Sequence, residues 1–307
     1  MKKFISLIIT FVFTFTMIAG CGADIQPPPV PLSEAPASDN PQPSASPVPS
    51  PSPDNVQVDT PPAKLSGTIS TNGSTSVEKV LASLIEAFAA EHPDVFITYD
   101  PTGSGAGITA ATEGVADIGL SSRALKDSET GLDATIFALD GIAIIVNNSN
   151  AVTNLSIEQI AGLFTGEITN WNEVGGANSP VAIIGREGGS GTRSGFEEIM
   201  GVVDKCVYDQ ELTSGGAIIT AVASNEYAIG YTSLSAVGDQ VSAVSVNGIT
   251  CSEATVKDGT YAVQRPFVMV TQSGRELSPE VKAFIEFALS SDAAEIIANA
   301  GAVQPPN

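Results

Sequence analysis

Three times along this chain a glycine and hydroxyl cluster stands just before a helical pattern, each time after a strand-like run. The clusters are Gly73-Ser74-Thr75-Ser76, Gly103-Ser104-Gly105-Ala106-Gly107 and Gly188-Gly189-Ser190-Gly191-Thr192. Strand, cluster and helix in repetition place the chain in the α/β class. Each cluster also sets unpaired backbone N–H groups, small hydroxyls and the positive end of a helix dipole at one spot, which is how a protein holds an oxyanion. Any one cluster is ordinary turn and cap chemistry. Three in one chain point to a site for a small anion.

The surrounding periodicity supports that layout. Thr68–Ser70 reads as a first strand, and Val77, Val80, Leu81, Leu84, Ile85 and Phe88 then recur at helical spacing, with Thr75 and Glu78 matching a capping box. Val95–Tyr99 predicts a second strand, a short helix runs from about Ile108, and Asp117–Leu120 returns as strand. The apolar run Gly141–Val146 predicts a buried strand, Ile157–Phe164 a helix, Val181–Ile184 a strand ending at Arg186, and Phe196, Ile199 and Met200 a further helix. Ala228–Tyr231 and Pro266–Thr271 read as later strands, and Pro279–Ala300 as an amphipathic helix. The globular pattern from Lys64 to Asn307 is too long for one small core and predicts two lobes: a first from residues 64–145, a second from 146–245, and a return to the first over 246–307.

What precedes the globular part is different in kind. Lys2 and Lys3 followed by an apolar run to Ile18 form a secretory signal over residues 1–20, shorter than the roughly 20 apolar residues of a membrane-spanning helix. The small residues before Cys21 resemble the bacterial lipoprotein signal, in which that cysteine is acylated and anchors the mature chain. Residues 21–63 then carry thirteen of the chain's twenty prolines and almost no aliphatic run, so they read as an unfolded stalk. Together these predict a protein tethered by lipid to the extracytoplasmic face of a bacterial cell membrane.

Charge narrows the partners. The formal net charge of −21 becomes −23 once Lys2 and Lys3 leave with the signal, which argues against nucleic acid as a partner. It does not argue against a small anion, since local donors outweigh carboxylates screened over a Debye length of about 8 Å. Cys206 and Cys251 form either a disulfide or two buried free thiols. With one histidine, His92, and no Cys/His cluster, no metal site and no cofactor is expected.

A tetrahedral oxyanion requires many converging donors and at least one guanidinium. Ser74, Thr75, Ser76, Ser104, Ser122, Ser190 and Thr192 supply hydroxyls, Gly191 a backbone amide, and Arg186 fixed charge unless it forms a surface pair with Glu187; Arg123 follows Ser122 at a strand end. The third cluster lacks the Gly-Lys-[Ser/Thr] of a P-loop. A serine hydrolase needs a histidine base, and His92 lies before Pro93 at the end of a helical pattern, a surface position.

These residues resemble a known family, the phosphate-binding lipoproteins of phosphate ABC transporters, with the type II periplasmic-binding-protein fold. The resemblance covers nearly all of residues 66–304. It rests on the three clusters together with Ala116-Asp117-Ile118-Gly119-Leu120-Ser121-Ser122-Arg123, Asp140-Gly141-Ile142-Ala143, Ile168-Thr169-Asn170-Trp171, Arg186-Glu187, Arg193 and Ile229-Gly230-Tyr231. It implies two lobes joined by crossing strands, with inorganic phosphate held between them by Thr75, Ser104, Ser122, Arg186, Ser190, Gly191 and Thr192. It also implies hinge closure on binding, delivery to the permease subunits of the transporter, action as a monomer, and no enzymatic activity. The same fold for another oxyanion, such as sulfate or molybdate, is the near alternative; a surface phosphohydrolase or a stalked adhesin is a more distant one.

Two departures from the family pattern bear on selectivity. Some members carry Ser-Asp where this chain has Ser121-Ser122, and that carboxylate accepts the proton that distinguishes phosphate from sulfate. Asp140, before the crossing strand, is the replacement acceptor expected here; its other reading is a strand-end carboxylate paired with an arginine. The second departure is Gly188, where many members have an acid, which leaves Glu187 as the candidate partner of Arg186.

Overall fold

The structure, a computed structural model, describes residues 64–305. The signal segment, Cys21 and the stalk over residues 21–63 lie outside the described residues.

The chain alternates strands and helices through most of its length. In order come β1 (Gly67–Gly73), α1 (Glu78–Glu91), β2 (Val95–Asp100), α2 (Ser104–Thr112), β3 (Ile118–Ser121), β4 (Leu132–Asn147), β5 (Asn154–Leu155) and α3 (Ile157–Thr165). There follow β6 (Ala182–Arg186), α4 (Gly191–Met200), β7 (Gln210–Leu212), α5 (Gly215–Ser224), β8 (Ala228–Ser233), β9 (Val241–Val246), α6 (Glu253–Lys257), β10 (Gln264–Gln272), α7 (Pro279–Leu289) and α8 (Ser291–Asn299).

The strands run in the order β2-β1-β3-β10-β4-β8-β6-β7, with β9 also on β4 and β5 on β9. β1 is parallel to β2 and β3, and β6 is parallel to β7 and β8, as helical crossovers require. β4 joins the two halves. Its first part pairs antiparallel with β10 from Leu132 to Gly141, and its second part pairs with β8 and β9 from Ile142 onward.

Each half has its own core. In the first, Ile69, Leu81, Leu84, Phe88, Phe137, Phe267 and Phe284 are buried among β1, β4, β10, α1 and α7, with the Phe88 and Phe284 rings edge to face at 5.2 Å. Ile108 and Ala111 of α2 cover Val268 and Val270, the opposite face of β10. In the second, Phe196 stacks on Tyr231 at 4.2 Å, beside Phe164, Trp171 and Ile144. This second core draws on residues from Ile142 to Val263, together with Val303, so the lobe is wider than the 146–245 expected from the sequence. Its extra residues Cys251, Val256, Tyr261 and Val263 precede the return strand β10 and pack on β4, with Cys251 and Val256 against Gly141 and the Tyr261 hydroxyl donating to the Ile142 carbonyl.

The two-lobed α/β architecture is the one the sequence predicts, with local corrections. Thr75 and Glu78 form no capping box. Ser74 caps a 3-10 turn at Thr75–Val77 by accepting from the Ser76 amide, and α1 starts only at Glu78. The Thr75 hydroxyl is instead held from the other lobe. The C-terminal helix is broken at Ser290, whose extended backbone ends α7 and whose hydroxyl caps α8. Cys206 and Cys251 are free thiols: Cys206 lies beside Tyr208, while Cys251 is buried against Gly141 and Tyr261. Among the described residues no helix is long and apolar enough to cross a membrane.

Candidate functional site

The three clusters meet. β1 and β3 end side by side, since Gly73 has φ +143° and a β-carbon there would collide with the Leu120 carbonyl. The tight approach sets Ser74 N 2.9 Å from Leu120 O and Gly103 N 2.8 Å from Gly73 O. Ser104, the first residue of α2, accepts from the Ser122 amide at 3.0 Å, and the two hydroxyl oxygens are 3.2 Å apart. Ser74, Thr75, Ser76, Ser104 and Ser122 therefore form one wall, contributed by the first lobe.

The opposing wall is the start of α4. Ser190 caps the helix by accepting from the Arg193 amide at 3.3 Å, which aims the amides of the first turn and the positive helix end at the first lobe. Gly191 approaches so closely that a β-carbon would clash with Ser104 Oγ and lie 2.7 Å from Ser122 Oγ. Ser76 Oγ and Thr192 Oγ1 are 2.7 Å apart across the gap, and the Gly105 amide donates to the Gly189 carbonyl at 3.1 Å. Ser74, Ser104, Ser122, Ser190 and Thr192 are all at most 2% exposed. The lobes are closed on each other, with these side chains buried between them.

Arg186 supplies the charge. Its Nε donates to Glu187 and the Leu212 carbonyl at 3.0 and 3.1 Å. Its Nη2 donates to Glu187 at 2.9 Å, to the Thr213 carbonyl at 3.0 Å and to Thr75 Oγ1 at 3.0 Å. Among the described residues Nη1 has no partner. Glu187 thus takes the place that Gly188 leaves empty, fixing the guanidinium plane in two-point contact. Tyr231 Oη accepts from the Arg186 amide at 3.2 Å, and Arg193 donates to the Arg186 carbonyl at 3.0 Å while paired with Glu197 and Glu211. The backbone carrying Arg186 is therefore pinned on both sides.

Two residues expected in the cradle point elsewhere. Arg123 turns away from it and forms a two-point pair with Glu129 at 2.6 and 2.8 Å, also donating to the Ala124 carbonyl. Asp140 is fully buried, and its carboxylate accepts from Ser233 at 2.7 Å and from Arg265 at 3.0 and 3.2 Å. The reading as a strand-end carboxylate paired with an arginine is the observed one. Burial pushes the Asp140 carboxyl up, against the opposing pull of the Arg265 guanidinium and the Ser233 hydroxyl.

Arg265 is the site residue that sequence reasoning missed. Its Nη1 donates to Thr192 Oγ1 at 2.6 Å and to the Ser122 carbonyl at 3.2 Å, touching both walls. Because a guanidinium only donates, Thr192 must accept there, and its single hydrogen is left for the gap or for Ser76. Arg265 precedes the apolar run from Pro266 and looks like a loop residue; only its register opposite Asp140 on β4 reveals it.

The arrangement is a buried convergence of hydroxyls, first-turn amides and a guanidinium, suited to a small tetrahedral oxyanion. The sequence matches the PBP superfamily domain over residues 58–292. It is 28% identical over 247 residues to the phosphate-binding protein PstS of Borreliella burgdorferi, covering 76% of this chain and 88% of that one. A Clostridium perfringens structure with bound phosphate, assigned to a phosphate ABC transporter substrate-binding protein, is 40% identical with a TM-score of 0.76, covering 78% of this chain and all of that one. An ABC-type phosphate transport receptor from Vibrio cholerae is 36% identical with a TM-score of 0.66, covering 77% of this chain and all of that one.

Proposed function

This chain belongs to the PBP superfamily, and on that premise we propose that it captures inorganic phosphate outside the cell and delivers it to the permease of an ABC transporter. The observation that carries the reading is Arg186, 1% exposed and held by Glu187, Thr75 and two carbonyls, with its Nη2 donating to the Thr75 hydroxyl of the first-lobe wall. Ser104, Ser122, Ser190, Thr192, Thr75 and the Gly191 amide complete the donor set. Affinity arises from charge-assisted hydrogen bonds in a water-poor gap, with no bond made or broken.

Closure about β4 and β10 is the signal the permease reads. The contacts across the gap, Ser76 to Thr192, Gly105 to Gly189 and Arg186 to Thr75, form only when the lobes meet. Acylation at Cys21 tethers the protein to the membrane, the stalk over residues 21–63 carries it outward, and it works as a monomer. With Asp140 committed to Arg265, the acceptors for a phosphate proton are the Ser104 and Ser122 hydroxyls, which can donate or accept.

Calorimetric titration of phosphate into ligand-stripped protein, with sulfate and molybdate as competitors, tests this reading. Arg186→Ala is expected to weaken phosphate binding by about a hundredfold or more, since the buried anion loses its counterion. Retained tight binding, or preference for sulfate or molybdate in the native protein, contradicts it.

A further inference from the structure

Two arginines bond across the gap, and they do so reciprocally. Arg186, carried by β6 of the second lobe, donates from Nη2 to Thr75 Oγ1 of the first at 3.0 Å. Arg265, tied to the first lobe, donates from Nη1 to Thr192 Oγ1 of the second at 2.6 Å. Each guanidinium is set by a carboxylate of its own side, Glu187 for Arg186 and Asp140 for Arg265.

The two differ in what remains for a ligand. Each of the three Arg265 nitrogens already has a protein acceptor: Nε and Nη2 reach Asp140 at 3.2 and 3.0 Å, and Nη1 reaches the Ser122 carbonyl at 3.2 Å as well as Thr192. Arg265 is therefore not an anion contact, and its influence on the ligand passes through Thr192. The guanidinium occupies a lone pair of Thr192 Oγ1, which turns the hydroxyl hydrogen off Arg265 and toward the gap or Ser76, 2.7 Å away.

Its place at the crossing strands gives that bond a second consequence. Arg265 stands opposite Asp140 in the last residues where β10 and β4 pair, before β4 passes to β8. Asp140 Oδ1 accepts from Ser233 of β8 at 2.7 Å, so the carboxylate sits at the crossing itself. The helix α4 lies along the Arg265 stem, since a β-carbon at Gly195 would be 3.6 Å from Arg265 Cδ and 3.8 Å from its Cβ. Asp140 and the Ser122 carbonyl fix the guanidinium plane whether the lobes are open or shut. Thr192 reaches Nη1 only when the start of α4 meets the first lobe.

We propose that Arg265 is the positioning residue that governs release: its bond to Thr192 forms on closure, aims the Thr192 hydroxyl and holds α4 over the anion, so that its loss speeds dissociation of phosphate without slowing capture. The inference rests on the proposed reading of the cradle and of its closure.

The test measures association and dissociation of radiolabelled inorganic phosphate separately, by rapid-mixing filtration on the full chain. Arg265→Lys keeps a cation beside Asp140, but one nitrogen cannot both pair with that carboxylate and span to Thr192 as the planar fork does. Dissociation is expected to be about tenfold or more faster, the effect of one charge-assisted hydrogen bond lost from the closed state alone, with association unchanged. The double variant Asp140→Asn/Arg265→Gln leaves a neutral hydrogen-bonding pair and no stranded charge, and it is expected to show the same selective acceleration. In a Thr192→Val background, Arg265→Lys is expected to add nothing further.

A native dissociation rate in the neutral double variant overturns the inference, because Arg265 then serves only the stability of the hinge. So does an undiminished effect of Arg265→Lys in the Thr192→Val background. Slower association with native dissociation makes Arg265 a residue of the encounter and overturns it too. Absence of phosphate binding by the native protein overturns the reading of the cradle, and this inference with it.

Discussion

Gly191→Ala separates closure of the lobes from folding of either one. Gly191 opens α4 on the second lobe with ordinary negative φ, so alanine suits its backbone and, as the better helix former, does not destabilise that lobe. The added methyl has nowhere to go when the lobes are shut, because it would clash with Ser104 Oγ and lie 2.7 Å from Ser122 Oγ, both from the first lobe. Overpacking of this kind costs about 1–3 kcal/mol, which falls on the closed state alone and lowers phosphate affinity by about 5- to 140-fold. Displacing Ser104 and Ser122 disturbs cradle hydroxyls as well, so the upper part of that range is expected. The assay pairs calorimetric phosphate titration with the denaturation midpoint of ligand-free protein. Gly188→Ala, whose β position meets nothing within 4 Å, is the control and should match the native protein. Native affinity in Gly191→Ala, or an equal loss in the control, refutes the closed-gap geometry.

Other outcomes follow from the same contacts. Asp140→Ala strands the buried Arg265 guanidinium and is expected to cost about 3–5 kcal/mol of stability by chemical denaturation, whereas a loss below 1 kcal/mol would show the pair to be dispensable. Arg123→Met should leave phosphate affinity unchanged, because its guanidinium faces Glu129 rather than the cradle. That guanidinium holds the Glu129 carboxyl below its ordinary range, so the pair's contribution is complete above the ordinary glutamate pKa of about 4.3 and is lost as pH falls through the lowered value. Arg123→Met should therefore remove that part of the acid sensitivity seen in a pH series of unfolding curves. Burial pushes the Cys206 and Cys251 thiols up to about 11 and about 12, so at pH 8 a disulfide-exchange reagent should react slowly with native protein and titrate both thiols once it is denatured. Fast reaction of Cys251 in the native state contradicts its burial, and Cys206, half-buried beside Tyr208, should be the faster of the two.

The parts of the molecule legible in the sequence are those set by local chemistry. Glycine next to small hydroxyls before an apolar helical period marks α1, α2 and α4, but not their first residues: α1 opens after its cluster, at Glu78, and α2 within its cluster, at Ser104 rather than near Ile108. Gly141–Val146 is visibly a buried strand. The preceding Leu132–Asp140 is not, because Asp133, Thr135 and Asp140 interrupt its apolar residues and much of it is exposed or half-exposed, although it is the same strand. Long-range pairing is what sequence reading lacks. Arg123 and Arg265 both stand at strand ends beside the cradle, and which of them faces it depends on Glu129 lying six residues after one and Asp140 lying in register with the other. Thr75 shows the same limit: its spacing to Glu78 suits a helix cap, but Arg186, 111 residues away, takes its hydroxyl.

The most direct measurement is a crystal structure of the protein with phosphate bound. It should show one phosphate between the lobes, touching Thr75, Ser104, Ser122, Arg186 Nη1, Ser190, Gly191 and Thr192, with Asp140 still on Arg265. Phosphate bound elsewhere, or in the gap without contact to Arg186, contradicts the account.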